Sequence, residues 1–463
     1  MRQPPLVEPL PSSPALDPAC LWPAFAARPG CAFLDTALPG PRARFSILAC
    51  DPVEVVKADA GDTDALDRLR EILAARACDP VPGLPFVGGA IGWLGYESGA
   101  ARDRVYSRSP DIAPRLPALA FGLYDEALVF DHATGRATLV ARAPAGLARL
   151  RALVSTPLSP SSLFPSPQIS APPPFVRPSP ASCNPTGYTV GELRPDLDRA
   201  AYADAIRRIR DYIAAGDVYQ VNFTQRFTAP FSGSAAALHA RLRALSPAPH
   251  AAYLDFGDHQ IVSSTPERLL RVSGRHLETR PIKGTVARLA DPAADAANRA
   301  RLLASAKDHA ELLMIVDLAR NDLGRVAASG SVRVEARHDL ETYATVHHLV
   351  ATVSAELASG LDRFDALRAL HPGGSITGAP KIRAMQIVSE LEPVPRHAYT
   401  GALGYLGYDG DADLAIAIRT ITCADGLAAY HVGGGITWDS DADSEYEETL
   451  HKGRAMQQAL QNH

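Results

Sequence analysis

The sequence predicts an α+β protein, and three observations carry that prediction. Runs with helical spacing and runs with period-two alternation are both present, they mix without strict strand–helix–strand order, and no dinucleotide-type glycine pattern follows a strand. At 463 residues the chain exceeds one ordinary core and suits two intimately packed domains.

Taken in order, short strand-like runs stand at Ala32–Leu34, Phe45–Ala49, Ala118–Phe121 and Ala137–Ala141. Between them, Leu66, Leu69, Ile72 and Leu73 keep helical spacing and predict a helix over Asp64–Arg76. The glycines of Pro85–Tyr96 fit neither GxGxxG nor a phosphate loop, so tight backbone packing is expected there. Ten of the 39 prolines fall between Ser155 and Pro185, which reads as an extended linker or equally as a long surface loop. The expected division is therefore 1–154, a linker 155–187, and 188–463. Beyond it, Tyr202, Ile206, Ile209 and Ile213 predict a helix stopped by Gly216. Residues 219–227 then alternate, with Tyr219, Val221, Phe223 and Phe227 opposite Gln220, Asn222, Thr224 and Arg226. On pattern alone the polar side is as well read as an exposed face. Strands at Gln260–Ser263 and Leu269–Val272 and helices at Ala296–Leu318 and Ala379–Glu390 complete the expectation.

A formal net charge of −5 lacks the basic excess of a nucleic-acid binder, and no run of 18 apolar residues exists. The start, MRQPPLVEPLPSSP, has no basic stretch followed by an apolar one. Six scattered cysteines without a CxxC pair suit neither a disulfide scaffold nor a zinc site. A cytoplasmic protein with no membrane and no nucleic-acid partner is expected.

Two acidic pairs have i,i+3 spacing: Asp308 with Glu311, and Glu445 with Glu448. On a helix each pair shares a face, and two such faces would suit a hard cation. Taken alone, an i,i+3 acidic pair is more often a solvated helix surface. In Thr279-Arg-Pro-Ile-Lys-Gly-Thr285, a lysine held among buried neighbours would lose solvation, which frees its amine to attack. Pro372-Gly-Gly-Ser-Ile-Thr-Gly-Ala-Pro-Lys381 and Val432-Gly-Gly-Gly-Ile436 present bare backbone to an anion. Arg419 is a charge inside a strand-like apolar run and needs a partner if buried.

Together, TPER, PIKGT, KDHAELLMIVDLARNDLGR, VHHL, GGSITGAPKIRAM, YTGALGY, IAIRT, VGGGI and SEYEETLHK resemble the chorismate-utilising enzymes from about Tyr202 to the carboxy terminus. FLDTA, RFSILACDP, PFVGGAIGWLGYE and FGLYDEALVFDH extend the likeness more weakly toward the amino terminus. The resemblance implies two antiparallel sheets packed face to face with flanking helices. It implies Mg2+ held by Glu311 and Glu448, with Asp308 and Glu445 acting largely through water. Tyr399, Arg419, Gly433, Gly435 and Lys452 are implied as the clamp on the substrate carboxylates, with Gln220, Gly284, Thr285, Ser375 and Thr377 lining the rest of the pocket. Glu267 is implied as the general acid on the departing C4 hydroxyl, Lys283 as a nucleophile, and His348 beside the ring.

Within the family, members that add water carry a lysine where Gln220 stands, and a glutamine takes no proton near neutral pH. Among the ammonia users, anthranilate-forming members resemble one another in an alanine where this chain has Lys283. The PIKGT pattern is that of members that aminate C4 to give 4-amino-4-deoxychorismate, on the way to p-aminobenzoate and folate. Arg280 is the nearby cation expected to help keep the lysine neutral. Anthranilate formation, or binding of chorismate or a glutaminase without turnover, are the alternatives. Without a cysteine-based glutaminase segment or an appended lyase domain, the chain is expected to take ammonia from a separate glutamine amidotransferase subunit. Ala442 stands where a proline is common and is expected to loosen entry to the last helix. Some relatives hold tryptophan in a pocket that Thr36, Arg42, Phe45 and Pro249 partly match, though His250 replaces an apolar residue there.

Overall fold

The computed structural model describes residues 4–11, 16–40, 43–105, 113–155, 187–343 and 346–461. The linker expected at 155–187 lies outside these, apart from its two end positions. Two sheets of 13 and 10 strands, all paired antiparallel, form the body. Segments on both sides of the linker contribute to each. In the first sheet Ala32–Asp35 pairs with His250–Asp255, and in the second Gly89–Leu94 pairs with Ala402–Gly407.

The apolar runs explain the layering. In the first sheet Ala32, Ile47, Ala252 and Ile261 enter a core shared with Trp93, Leu270 and Leu403 of the second sheet. Their neighbours Phe33, Leu48, Tyr253 and Val262 face the other way, into a core with Trp22 and Phe25 of helix Pro18–Ala26. Strands buried on both faces read as continuous apolar runs. The glycine-rich segment at 85–96 packs as its composition suggests: a Cβ on Gly92 would lie 2.1 Å from Ala120 O, so only glycine fits the close approach.

Two expectations change. The helix expected over Ala296–Leu318 is two, Pro292–Leu303 and Ala306–Gly324, because the Ser305 hydroxyl caps the second by accepting from Asp308 N. Arg419 is not inside a strand. It lies at φ 51° between Ala412–Ile416 of the second sheet and Thr420–Ala424 of the first, where the chain crosses from one sheet to the other. Entry to the last helix, Ala442–Leu460, is capped by the Asp441 carboxylate accepting from Ser444 N and Oγ, without a proline. Among the described residues no helix is long and apolar enough to cross a membrane.

Candidate active site

One end of the sandwich gathers the residues singled out above. Strand Gln220–Gly233 pairs with Leu427–Ile436, setting Asn222 opposite Gly435 and Thr224 opposite Gly433. Its polar side is buried: Gln220, Asn222, Thr224 and Arg226 are all shielded, while Tyr219 is 75% exposed. Neither Oε1 nor Nε2 of Gln220 has a partner. Its amide lies over Gly435, where a Cβ would come within 2.2 Å of Nε2. Both polar atoms of this buried amide are left to bond a ligand or water.

Ile282–Ala287, an edge strand, carries Lys283, Gly284 and Thr285 against Val346–Glu356. The Lys283 side chain is 15% exposed, with Nζ 3.9 Å from Glu311 Oε2. Gly284 takes φ 72° beside the Asp308 side chain, to which a Cβ would approach within 3.0 Å. Thr285 Oγ1 and His348 Nδ1 are 2.8 Å apart, and burial lowers the His348 imidazole to about 4, so the ring is neutral. The Arg280 guanidinium donates to Glu341 and to Thr352 Oγ1.

Glu267 is 4% exposed, and burial raises its carboxyl to about 7. Ser375 Oγ donates to Glu267 Oε1 at 2.7 Å and, with the Lys283 charge, opposes that rise. Ser375 sits in the short 3₁₀ helix Gly374–Ile376, where the Thr377 hydroxyl donates inward to Gly373 O. Tyr399 is buried, stacked on His431 with ring centroids 5.1 Å apart, and its phenol is raised to about 12 by burial. Arg419 reaches the carbonyl of Lys452, and burial lowers its guanidinium.

The last helix carries Glu445, Glu448 and Lys452 along one stripe, which continues toward its end into the buried Met456 and Ala459. Lys452 Nζ lies 2.6 Å from Glu448 Oε1 and donates to Gly433 O at 2.9 Å. Burial raises the Glu445 carboxyl. At Glu448 burial also pushes upward, but Lys452, with Lys307 and Lys283, outweighs it and holds that carboxyl low. Lys307, not singled out from sequence, lies 3.9 Å from Glu311 Oε1, and its charge acts on Glu445 and Glu448. Lys283 likewise acts on carboxyls of both helices. The two acidic faces therefore share one cleft. Among the described residues no three metal-ligating side chains already close on one point. Hard carboxylate oxygens from two helices, neutralised by lysines, do fit a hydrated Mg2+, which keeps several waters and takes only one or two carboxylates directly.

A second cavity of about 260 Å³ lies between the sheets, lined by Thr36, Phe45, Pro249 and His250 among others. Arg42 lies outside the described residues. Burial lowers the His250 imidazole to about 3, so this wall is neutral.

The chorismate binding enzyme family matches residues 34–458. Aminodeoxychorismate synthase component 1 of Salmonella typhimurium is 40% identical over 440 residues, 91% of this chain and 91% of that protein. Anthranilate synthase component 1 of Streptomyces coelicolor is 41% identical over 433 residues, 90% of this chain and 81% of that protein. The crystal structure of anthranilate synthase component I from Streptococcus pneumoniae superposes with a TM-score of 0.76 at 32% identity, covering 90% of this chain and 93% of that one.

Proposed function

The chain belongs to the family of chorismate binding enzymes, and from that premise we propose that it is an aminodeoxychorismate synthase component 1, converting chorismate and ammonia to 4-amino-4-deoxychorismate and water. Relatives named for this activity and for anthranilate synthesis are equally similar overall. The choice therefore rests on one observation: an amine, Lys283, stands at the cleft within 3.9 Å of Glu311 and across from Glu267 and Ser375.

In the proposed reaction the Lys283 amine bonds to C2 as the C4–O bond breaks and the ring double bond shifts. Glu267, whose carboxyl is protonated up to about pH 7, delivers the proton that lets the hydroxyl leave as water. Ammonia then bonds to C4, the double bond returns, the C2–N bond breaks to release the Lys283 amine, and the proton shed by the new C4 nitrogen restores Glu267. Gln220 offers a neutral amide in place of a base, which leaves water without activation. Arg419, Lys452, Tyr399 and the bare backbone of Gly433 and Gly435 hold the carboxylates, with Gly284, Thr285, Thr377 and neutral His348 around the ring. Mg2+ at Glu311 and Glu448, with Asp308 and Glu445 through water, would neutralise a substrate carboxylate.

The name component 1 carries a second component with it, and a glutamine amidotransferase that releases ammonia is the proposed partner. The reading brings with it a cytoplasmic role in p-aminobenzoate and folate synthesis. The test is incubation of the chain alone with chorismate, Mg2+ and ammonium salt at alkaline pH. 4-Amino-4-deoxychorismate is the expected product, and anthranilate with pyruvate would overturn the reading.

A further inference from the structure

Behind the wall that carries Gln220, Ser375 and Tyr399 lies an ion pair that the chemistry above does not use. Glu392 and Arg396 follow helix Lys381–Leu391 and are 6% and 1% exposed. Every guanidinium N–H of Arg396 has an acceptor. Nε donates to Glu392 Oε2 at 2.8 Å, and one terminal nitrogen to Ile376 O at 3.0 Å and Thr400 Oγ1 at 3.3 Å. The other donates to Asn222 O and Glu392 Oε1, each at 2.6 Å. Glu392 Oε1 in turn accepts from Thr224 N and Oγ1, each at 3.0 Å. Asn222 N donates to Thr377 O at 2.9 Å, closing the circuit.

One planar fork thus joins the strand after Gln220, the turn that holds Ser375 and the loop after Tyr399. A buried ion pair adds little net stability over well-packed apolar side chains, whereas a rigid five-donor fork fixes relative geometry. We propose that Glu392 and Arg396 are a positioning pair for the acid step: by clamping Ile376 directly and Thr377 through Asn222, they aim the Ser375 hydroxyl at Glu267. The role rests on the functional reading above, in which Glu267 is the general acid. Lys283 on the edge strand faces the same carboxyl, and Asp322 of helix Ala306–Gly324 shares a small cavity with it.

The test is a double-mutant cycle on kcat with Arg396→Lys, which keeps the charge and loses the fork, and Ser375→Ala. Each single variant should lower kcat about tenfold or more, with KM for chorismate moving less than about threefold. The double variant should be no slower than the slower single, because the second change has nothing left to remove. Independent effects that multiply, or wild-type kcat in Arg396→Lys, would overturn the proposal. Should Arg396→Lys melt before the assay temperature, Glu392→Gln takes its place in the cycle with the same two outcomes. The product released by the wild type is measured alongside. A wrong product refutes the functional reading alone, since departure of the C4 hydroxyl is common to both ammonia-using reactions.

Discussion

Replacing Ser375 with alanine should move the alkaline limb of kcat to higher pH. Ser375 Oγ donates to Glu267 Oε1 at 2.7 Å in a site where the carboxyl is 4% exposed. A hydrogen bond to a charged group contributes about 1.5–3 kcal/mol, and one pKa unit corresponds to about 1.4 kcal/mol. Losing it removes a group that favours the carboxylate, so the Glu267 carboxyl should rise from about 7 by about one to two units. Lys283 and the Ile282 backbone remain as the other groups that oppose the rise. A general acid works only while protonated, so activity should persist to higher pH even though kcat at neutral pH falls. The assay is kcat for chorismate against pH, with Mg2+ saturating and free ammonia, not total ammonium, held constant. An alkaline limb that stays in place or moves down would refute Glu267 as the acid.

Glu311→Gln and Glu448→Gln should each abolish measurable turnover and lose Mg2+ binding by calorimetry, because each removes a charged oxygen donor from one of the two facing helices. Gly435→Ala should lower kcat/KM at least about tenfold, since its Cβ would fall 2.2 Å from Gln220 Nε2 and push aside the buried amide that lies over it; Gln220→Ala in the same background should relieve the clash but not restore activity. Glu97 is a half-buried carboxyl that desolvation raises to about 7. The folded state therefore holds a proton that the unfolded chain releases near 4.5, so this group's contribution weakens as pH rises from about 4.5 to 7 and stays low above. Glu97→Gln should flatten that decline, by up to about 3 kcal/mol at pH 8 in denaturant titrations.

Sheet-forming runs were legible wherever apolar residues continued unbroken, because strands such as Phe45–Ala49 are buried on both faces. The break at Ser305 was hidden, since apolar residues continue on both sides of a cap that only a hydroxyl reveals. Arg419 was misread as a strand residue because a crossing between two sheets carries the same apolar flanks as a strand interior. In the site, carboxylate pairs and glycine-rich segments could be read from spacing. Lys307 could not, since it looks like any surface lysine four residues before a glutamate. Glu392 and Arg396 escaped for a similar reason. Their spacing is that of an ordinary helix pair, and only burial with five engaged donors sets them apart.

Lys283 decides between the two ammonia-using readings. Wild-type protein incubated with chorismate and Mg2+ while ammonia is withheld, then digested and analysed by mass spectrometry, tests it most directly. The account predicts a chorismate-derived adduct on the peptide containing Lys283, discharged as 4-amino-4-deoxychorismate when ammonium is added, and its loss in Lys283→Ala together with product formation. No adduct under any condition, with Lys283→Ala still releasing 4-amino-4-deoxychorismate at close to the wild-type rate, would contradict it.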